Sequence, residues 1–194
     1  LKVTRPDLTV VVASGDGDGY SIGGNHFLHA CRRNIDMTYV VMDNRVYGMT
    51  KGQPSPTTEP DFDTALAPGG TGLSPFHPLV IALASGANFV ARTFSGLPNE
   101  TASILAEAIQ HPGFSFVEVL SPCVTFRPDE KDWKSLVHPA PVGETGDPAK
   151  AARRIMSDDG FNIGILYRGK RAPFQPKVGQ SSIDLAALER DFQL

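Results

Sequence analysis

The sequence predicts an α/β fold, a mostly parallel sheet flanked by helices. Three observations carry this. Apolar, β-branched runs recur along the chain, helical patterns stand between them, and a glycine-rich turn follows the first run directly.

In chain order, TVVVA (9–13) reads as a first buried strand. The stretch after it, within VVVASGDGDGYSIGGNH (10–26), holds five glycines and two aspartates and makes a turn. A helix is predicted over about 22–33. MTYVVMD (37–43) reads as the second strand. Residues 50–76, with five prolines and four glycines, are too irregular for an element. They leave the carboxyl end of that strand, where open α/β sheets bind ligands, so a functional loop is expected. A helix over about 77–85 leads to a strand at ANFVART (87–93). LPNETASILAEAIQH (97–111) reads as a helix started by Asn99 as cap, followed by a strand at FSFVEVL (114–120). Beyond residue 127 the pattern loosens, with a strand predicted at FNIGILY (161–167) and a helix near SSIDLAALERDF (181–192). The expected organisation is one α/β domain over 1–127 and a C-terminal extension over 128–194, packing on that domain or on a partner subunit. A chain that opens on Leu1 and enters a strand within ten residues is expected to continue upstream.

With 194 residues, 41% of them hydrophobic, the chain suffices for one cored domain. A net charge of -3 without any basic run argues against nucleic acid and anionic lipid as partners. There is no apolar stretch of membrane-spanning length and no signal-peptide profile, so a cytoplasmic protein is expected. Two cysteines make no disulfide framework.

The glycine turn poses a chemical question, because a turn between strand and helix normally binds phosphate and Asp16 would repel it. A divalent cation between carboxylate and diphosphate resolves the conflict. Asn44 ends the second strand, 28 residues after Asp16. Octahedral Mg²⁺ is then accounted for by Asp16, the Asn44 side chain, the Val46 carbonyl, two diphosphate oxygens and a water. Three other readings compete. A dinucleotide fingerprint is weakened by Tyr20 where a small residue belongs, although Asp43 suits a ribose-binding acid. A Walker loop fails for want of Gly-Lys-Ser/Thr. A plain turn with solvated aspartates is the third.

The GDG followed by this Asn is similar to the thiamine-diphosphate motif. More narrowly, SGDGDGYSIGGNHFLHACRRN with NRVYGMTKGQPSPTT resembles the β subunit of the 2-oxoacid:ferredoxin oxidoreductases, above all the 2-oxoglutarate branch. The likeness is strong over about 9–127 and weaker over ILYRGKRAPF (165–174). It implies a thiamine-diphosphate-binding domain, with Mg²⁺ on Asp16, Asn44 and Val46, and with Gly15, Gly17, Gly48 and Met49 along the cofactor. It also implies oxidative decarboxylation of a 2-oxoacid with coenzyme A, electrons passing through an iron–sulfur cluster to ferredoxin. An α subunit is the implied partner and source of the activating glutamate. Met49 and Lys51 match substrate-pocket positions, and a lysine there goes with 2-oxoglutarate. Taken alone, Cys123 in VEVLSPCVTFRP reads as structural; the resemblance makes it one ligand of a 4Fe–4S cluster whose other ligands lie outside the chain. The rivals are a thiamine-dependent decarboxylase or synthase passing no electrons, and a non-catalytic nucleotide-binding module.

Cys31 reads as a buried core residue. His26 and His29 lack a third metal ligand and are expected to pack or cap. Tyr20 and Tyr47 are expected to pack around the cofactor, and the charges of 128–158 to form a solvated face or a subunit contact.

Overall fold

The structure, a computed structural model, describes residues 1–175 and residue 190. The helix predicted near 181–192 lies, apart from Arg190, outside them.

The first strand, β1 (Val11–Gly15), runs into a π-helical turn at Asp18–Ile22 and then α1 (Gly24–Arg33). Strand β2 (Met37–Asp43) follows, then a two-residue ribbon of β3 (Val46–Tyr47) and β4 (Gln53–Pro54). After the long loop come α2 (Pro78–Ala84), β5 (Phe89–Phe94), α3 (Pro98–Gln110) and β6 (Phe114–Leu120). A 3₁₀ turn (Pro128–Asp132), α4 (Trp133–Leu136), β7 (His138–Pro139), α5 (Pro148–Met156) and β8 (Asn162–Arg168) complete the order.

The main sheet has the order β1-β2-β6-β5-β8-β7. The β1, β2, β6 and β5 strands are mutually parallel, and β8 runs antiparallel to β5. Every residue of β5 and β6 is buried, as expected of strands covered on both faces. On one face Tyr39, Val41, Val90 and Phe116 pack with α1, α2 and α5 through Phe27, Leu79 and Ile155. On the other, Val40, Ala91 and Val117 meet Ile104 and Ala108 of α3.

Four expectations need correction. The β1 run is not buried: Val11 is 48% and Val12 37% exposed, because β1 is the edge strand of this sheet. Asn99 does not cap α3. Leu97 holds the cap position, and Pro98 starts the helix with its fixed φ and missing N–H. The loop of 50–76 contains β4. The charges of 128–158 are not all solvated, for the half-buried Asp158 turns its side chain, 8% exposed, onto Arg92. The same stretch contributes α5, whose start is capped by the Asp147 carboxylate accepting from the Ala149 and Lys150 amides.

Candidate functional site

Parallel strands all end on one edge, so β1, β2 and β6 deliver residues 16–23, 44–52 and 121–127 to the same place. The Ser121 amide donates to the Asp43 carbonyl at 2.8 Å, locking the ends of β6 and β2 together. Between these segments lies a cavity of about 370 Å³. It is lined by Gly15, Asp16 and Gly17 on one side, Asn44, Val46 and Gly48 on the other. Asp18, Tyr47, Met49 and Ser121 also contribute. Asp16 is only 2% exposed, so its carboxylate is a desolvated hard-oxygen donor. Asn44 turns its side-chain oxygen to accept from the Val46 amide at 3.1 Å, an Asx turn followed by Arg45 in the left-handed region. Opposite Val46 in the ribbon stands Pro54, which has no N–H to give the Val46 carbonyl. One carboxylate, one amide oxygen and one carbonyl at the mouth of a glycine-lined cavity fit a magnesium-bridged diphosphate.

Two glycines are required by what packs on them. A Cβ on Gly17 would lie 2.3 Å from the Tyr47 ring, whose hydroxyl donates to the Gly17 carbonyl at 2.9 Å. Gly52 has φ +91° and would put a Cβ 2.8 Å from the Phe126 ring. That contact joins the segment after Val46 to the segment carrying Cys123.

Lys51 and Cys123 do not line the cavity. Lys51 has an exposed side chain on a backbone with φ +81°, a conformation L-residues seldom hold. Met49 beside it is fully exposed at the cavity rim. Cys123 is half-buried in the turn after β6, closed by the Arg127 amide donating to its carbonyl at 2.8 Å. Among the described residues, no group of three or more His, Cys, Asp or Glu side chains stands ready for a metal ion. Mg²⁺ needs no such group when phosphates and water complete its shell. A 4Fe–4S cluster needs four thiolates, and this chain has two cysteines, of which Cys31 is fully buried in α1 with its thiol pushed up to about 12 by burial.

Two smaller expectations are corrected. Tyr20 does not face the cavity but stacks on Phe76 at 5.6 Å in the core beneath it, and only Tyr47 lines the site. His26 and His29 are exposed on α1 and neither pack nor cap.

Behind the cavity lies a polar layer that sequence reasoning missed. Asp43 is 3% exposed, and burial together with Glu118 and Asp16 pushes its carboxyl well above the usual carboxylate range. Arg92 of β5 pairs with its register partner Glu118 of β6 at 2.6 Å and reaches Asp158 at 3.4 Å. The readable signal was one charge inside each of two apolar runs, since a buried charge demands a partner. Nearer the surface, Glu59 is held by Arg45 and Arg127, and Arg45 stacks over Trp133 at 4.7 Å.

The thiamine pyrophosphate enzyme C-terminal TPP-binding domain family matches residues 1–119. A solved structure of 2-oxoglutarate:ferredoxin oxidoreductase from Magnetococcus marinus, with 2-oxoglutarate, coenzyme A and succinyl-CoA bound, superposes with a TM-score of 0.86 at 36% identity. It covers 100% of this chain and 70% of that one. The chain belongs to the 2-oxoacid:ferredoxin oxidoreductase β-subunit family. Among curated relatives, the 2-oxoglutarate synthase subunit KorB of Archaeoglobus fulgidus is 50% identical over 125 residues, 64% of this chain and 47% of the relative. The 2-oxoacid:ferredoxin oxidoreductase subunit beta of Saccharolobus solfataricus is 41% identical, over 94% of this chain and 65% of the relative. The chain thus spans about half the length of the first of these β subunits, and it supplies the family's thiamine-diphosphate-binding fold. No helix among the described residues is long and apolar enough to cross a membrane.

Proposed function

We propose that this β-subunit chain serves the oxidative decarboxylation of a 2-oxoacid, 2-oxoglutarate in preference to pyruvate, with coenzyme A taking the acyl group and ferredoxin the electrons. The observation that carries this reading is the cavity that joins buried Asp16 to Asn44, Val46 and a glycine-lined wall. In it, Asp16, Asn44 and Val46 hold Mg²⁺ against the cofactor diphosphate, and Gly15, Gly17 and Gly48 keep that side of the cavity free of side chains. Thiamine diphosphate, when bound, supplies the carbanion chemistry that lets a 2-oxoacid lose CO₂. Cys123 gives one thiolate to a 4Fe–4S cluster, the others coming from outside this chain. An α subunit completes the enzyme, which works in the cytoplasm.

The experiment is turnover by the full-length enzyme with 2-oxoglutarate and with pyruvate, following ferredoxin reduction and CoA consumption. Reduction that needs thiamine diphosphate and coenzyme A and favours 2-oxoglutarate is expected. Decarboxylation without ferredoxin reduction would make it a non-redox thiamine enzyme.

Two residue-level expectations arise here. Met49 lines the cavity rim and Lys51 follows two residues later in the same turn, and a lysine there suits a substrate with a second carboxylate. Charge-assisted contacts are worth about 1.5–3 kcal/mol, so Lys51→Ala should lower kcat/KM for 2-oxoglutarate roughly ten- to a hundredfold and spare pyruvate. Equal losses on both substrates would move Lys51 to the cofactor. Cys123→Ser in the full-length protein should lower cluster iron content and charge-transfer absorption, because a hydroxyl poorly replaces thiolate on iron. Thiamine diphosphate affinity should persist.

A further inference from the structure

We propose that Thr57 is a positioning residue for the metal centre, its hydroxyl standing between the Asp43 and Asp16 carboxyls and fixing Asp16 from behind while Asp16 faces the cavity. This rests on Asp16 being the metal ligand, as read above.

The Thr57 hydroxyl lies 2.7 Å from Asp43 Oδ1 and 3.3 Å from Asp16 Oδ2, as a donor suited to either carboxyl. All three residues are buried, Thr57 to 7% exposure. Asp16 lines the 370 Å³ cavity, whereas Asp43 and Thr57 line a second, separate cavity of about 250 Å³. Thr57 therefore stands in the wall between the two, on the side of Asp16 away from the cofactor. A hydroxyl has one hydrogen and two lone pairs, so it donates to one acid at a time, to Asp43 at the shorter distance or across the gap to Asp16, and itself accepts from a third group. Ser55 Oγ, 3.2 Å away, is placed to be that donor.

What makes Thr57 a support and not a passing contact is how its own backbone is fastened. The Thr58 hydroxyl donates to the Arg45 carbonyl and accepts from the Ser55 amide at 2.7 Å. Glu59 pairs with the Arg45 guanidinium. Arg45 lies between Asn44 and Val46, so three consecutive residues, 57–59, buckle Asp16, just past β1, to the turn that carries the other two. Ligands held only by their own loops drift, and supporting hydrogen bonds are what fix a carboxylate in one orientation.

The test is Mg²⁺ affinity of the full-length enzyme at saturating thiamine diphosphate, by calorimetry, for the wild type and for Thr57→Val, Thr57→Ala and Thr57→Ser. Loss of an outer hydrogen-bond partner typically weakens a metal site about 10- to 100-fold. Thr57→Val and Thr57→Ala should fall in that range, and Thr57→Ser, which keeps the hydroxyl, should bind close to wild type. Unchanged affinity in the folded alanine or valine variant overturns the proposal. So does a serine variant as weak as alanine, since the methyl and not the hydroxyl would then matter; that arm stands even if valine prevents folding. A wild type that shows no Mg²⁺-dependent cofactor binding sinks the functional reading itself, whereas normal wild-type binding with unaffected variants sinks only this inference.

Discussion

Asp16→Ala in the full-length enzyme is expected to abolish Mg²⁺-dependent binding of thiamine diphosphate while leaving the fold intact. Asp16 is the one carboxylate among the proposed protein ligands, and Asn44 and Val46 offer only neutral oxygens. Losing it removes the charge that offsets the metal, a larger change than the roughly 10- to 100-fold typical of an outer partner. Stability should not suffer. Asp16 is one of the groups that push the Asp43 carboxyl up, so its removal relieves repulsion in a buried site. Calorimetry with thiamine diphosphate and Mg²⁺ reads the first effect and apo-protein melting the second. Asp16→Asn is the control, since it keeps the shape and loses the charge. Cofactor affinity unchanged in both variants would refute the assignment.

Much of this site was legible because strand ends are legible. The runs at 37–43 and 114–120 are apolar enough to mark β2 and β6, and a parallel sheet then brings their last residues together with residues 15–17. The edge position of β1 was not legible, since Val11 and Val12 are β-branched whether or not anything covers them. Helix α5 carried the Asp147-Pro148 start signal, but its charged residues masked the apolar stripe of Ala151 and Ile155. Thr57 was out of reach for another reason. Its contact with Asp16 spans 41 residues of chain, and nothing local in an irregular Pro- and Gly-rich loop says where that loop travels.

Arg92→Met is expected to destabilise the protein by about 3–5 kcal/mol, the usual consequence of stranding a buried charge. Methionine fills most of the space, so the effect is electrostatic and not a cavity. The Arg92 and Glu118 side chains are 9% and 3% exposed, and Asp158 is 8% exposed. Without the guanidinium, Glu118 and Asp158 lose the cation they share, in a layer that already contains Asp43 and Asp16. A total stability of roughly 5–15 kcal/mol makes this a large fraction. The pair is not expected to be strongly stabilising in itself, because desolvation of both ions offsets most of their attraction. Arg92→Met combined with Glu118→Leu should therefore recover part of the loss, Asp158 keeping the remainder, so that the double variant is more stable than Arg92→Met alone. Urea unfolding of the four proteins of this cycle gives the coupling energy directly. A single-variant loss below about 1 kcal/mol, the range of exposed pairs, would mean that water reaches the layer and solvates the acids. Destabilisation without that coupling would trace the loss to packing around residue 92, and the buried polar layer would then have no electrostatic part in holding the floor of the site.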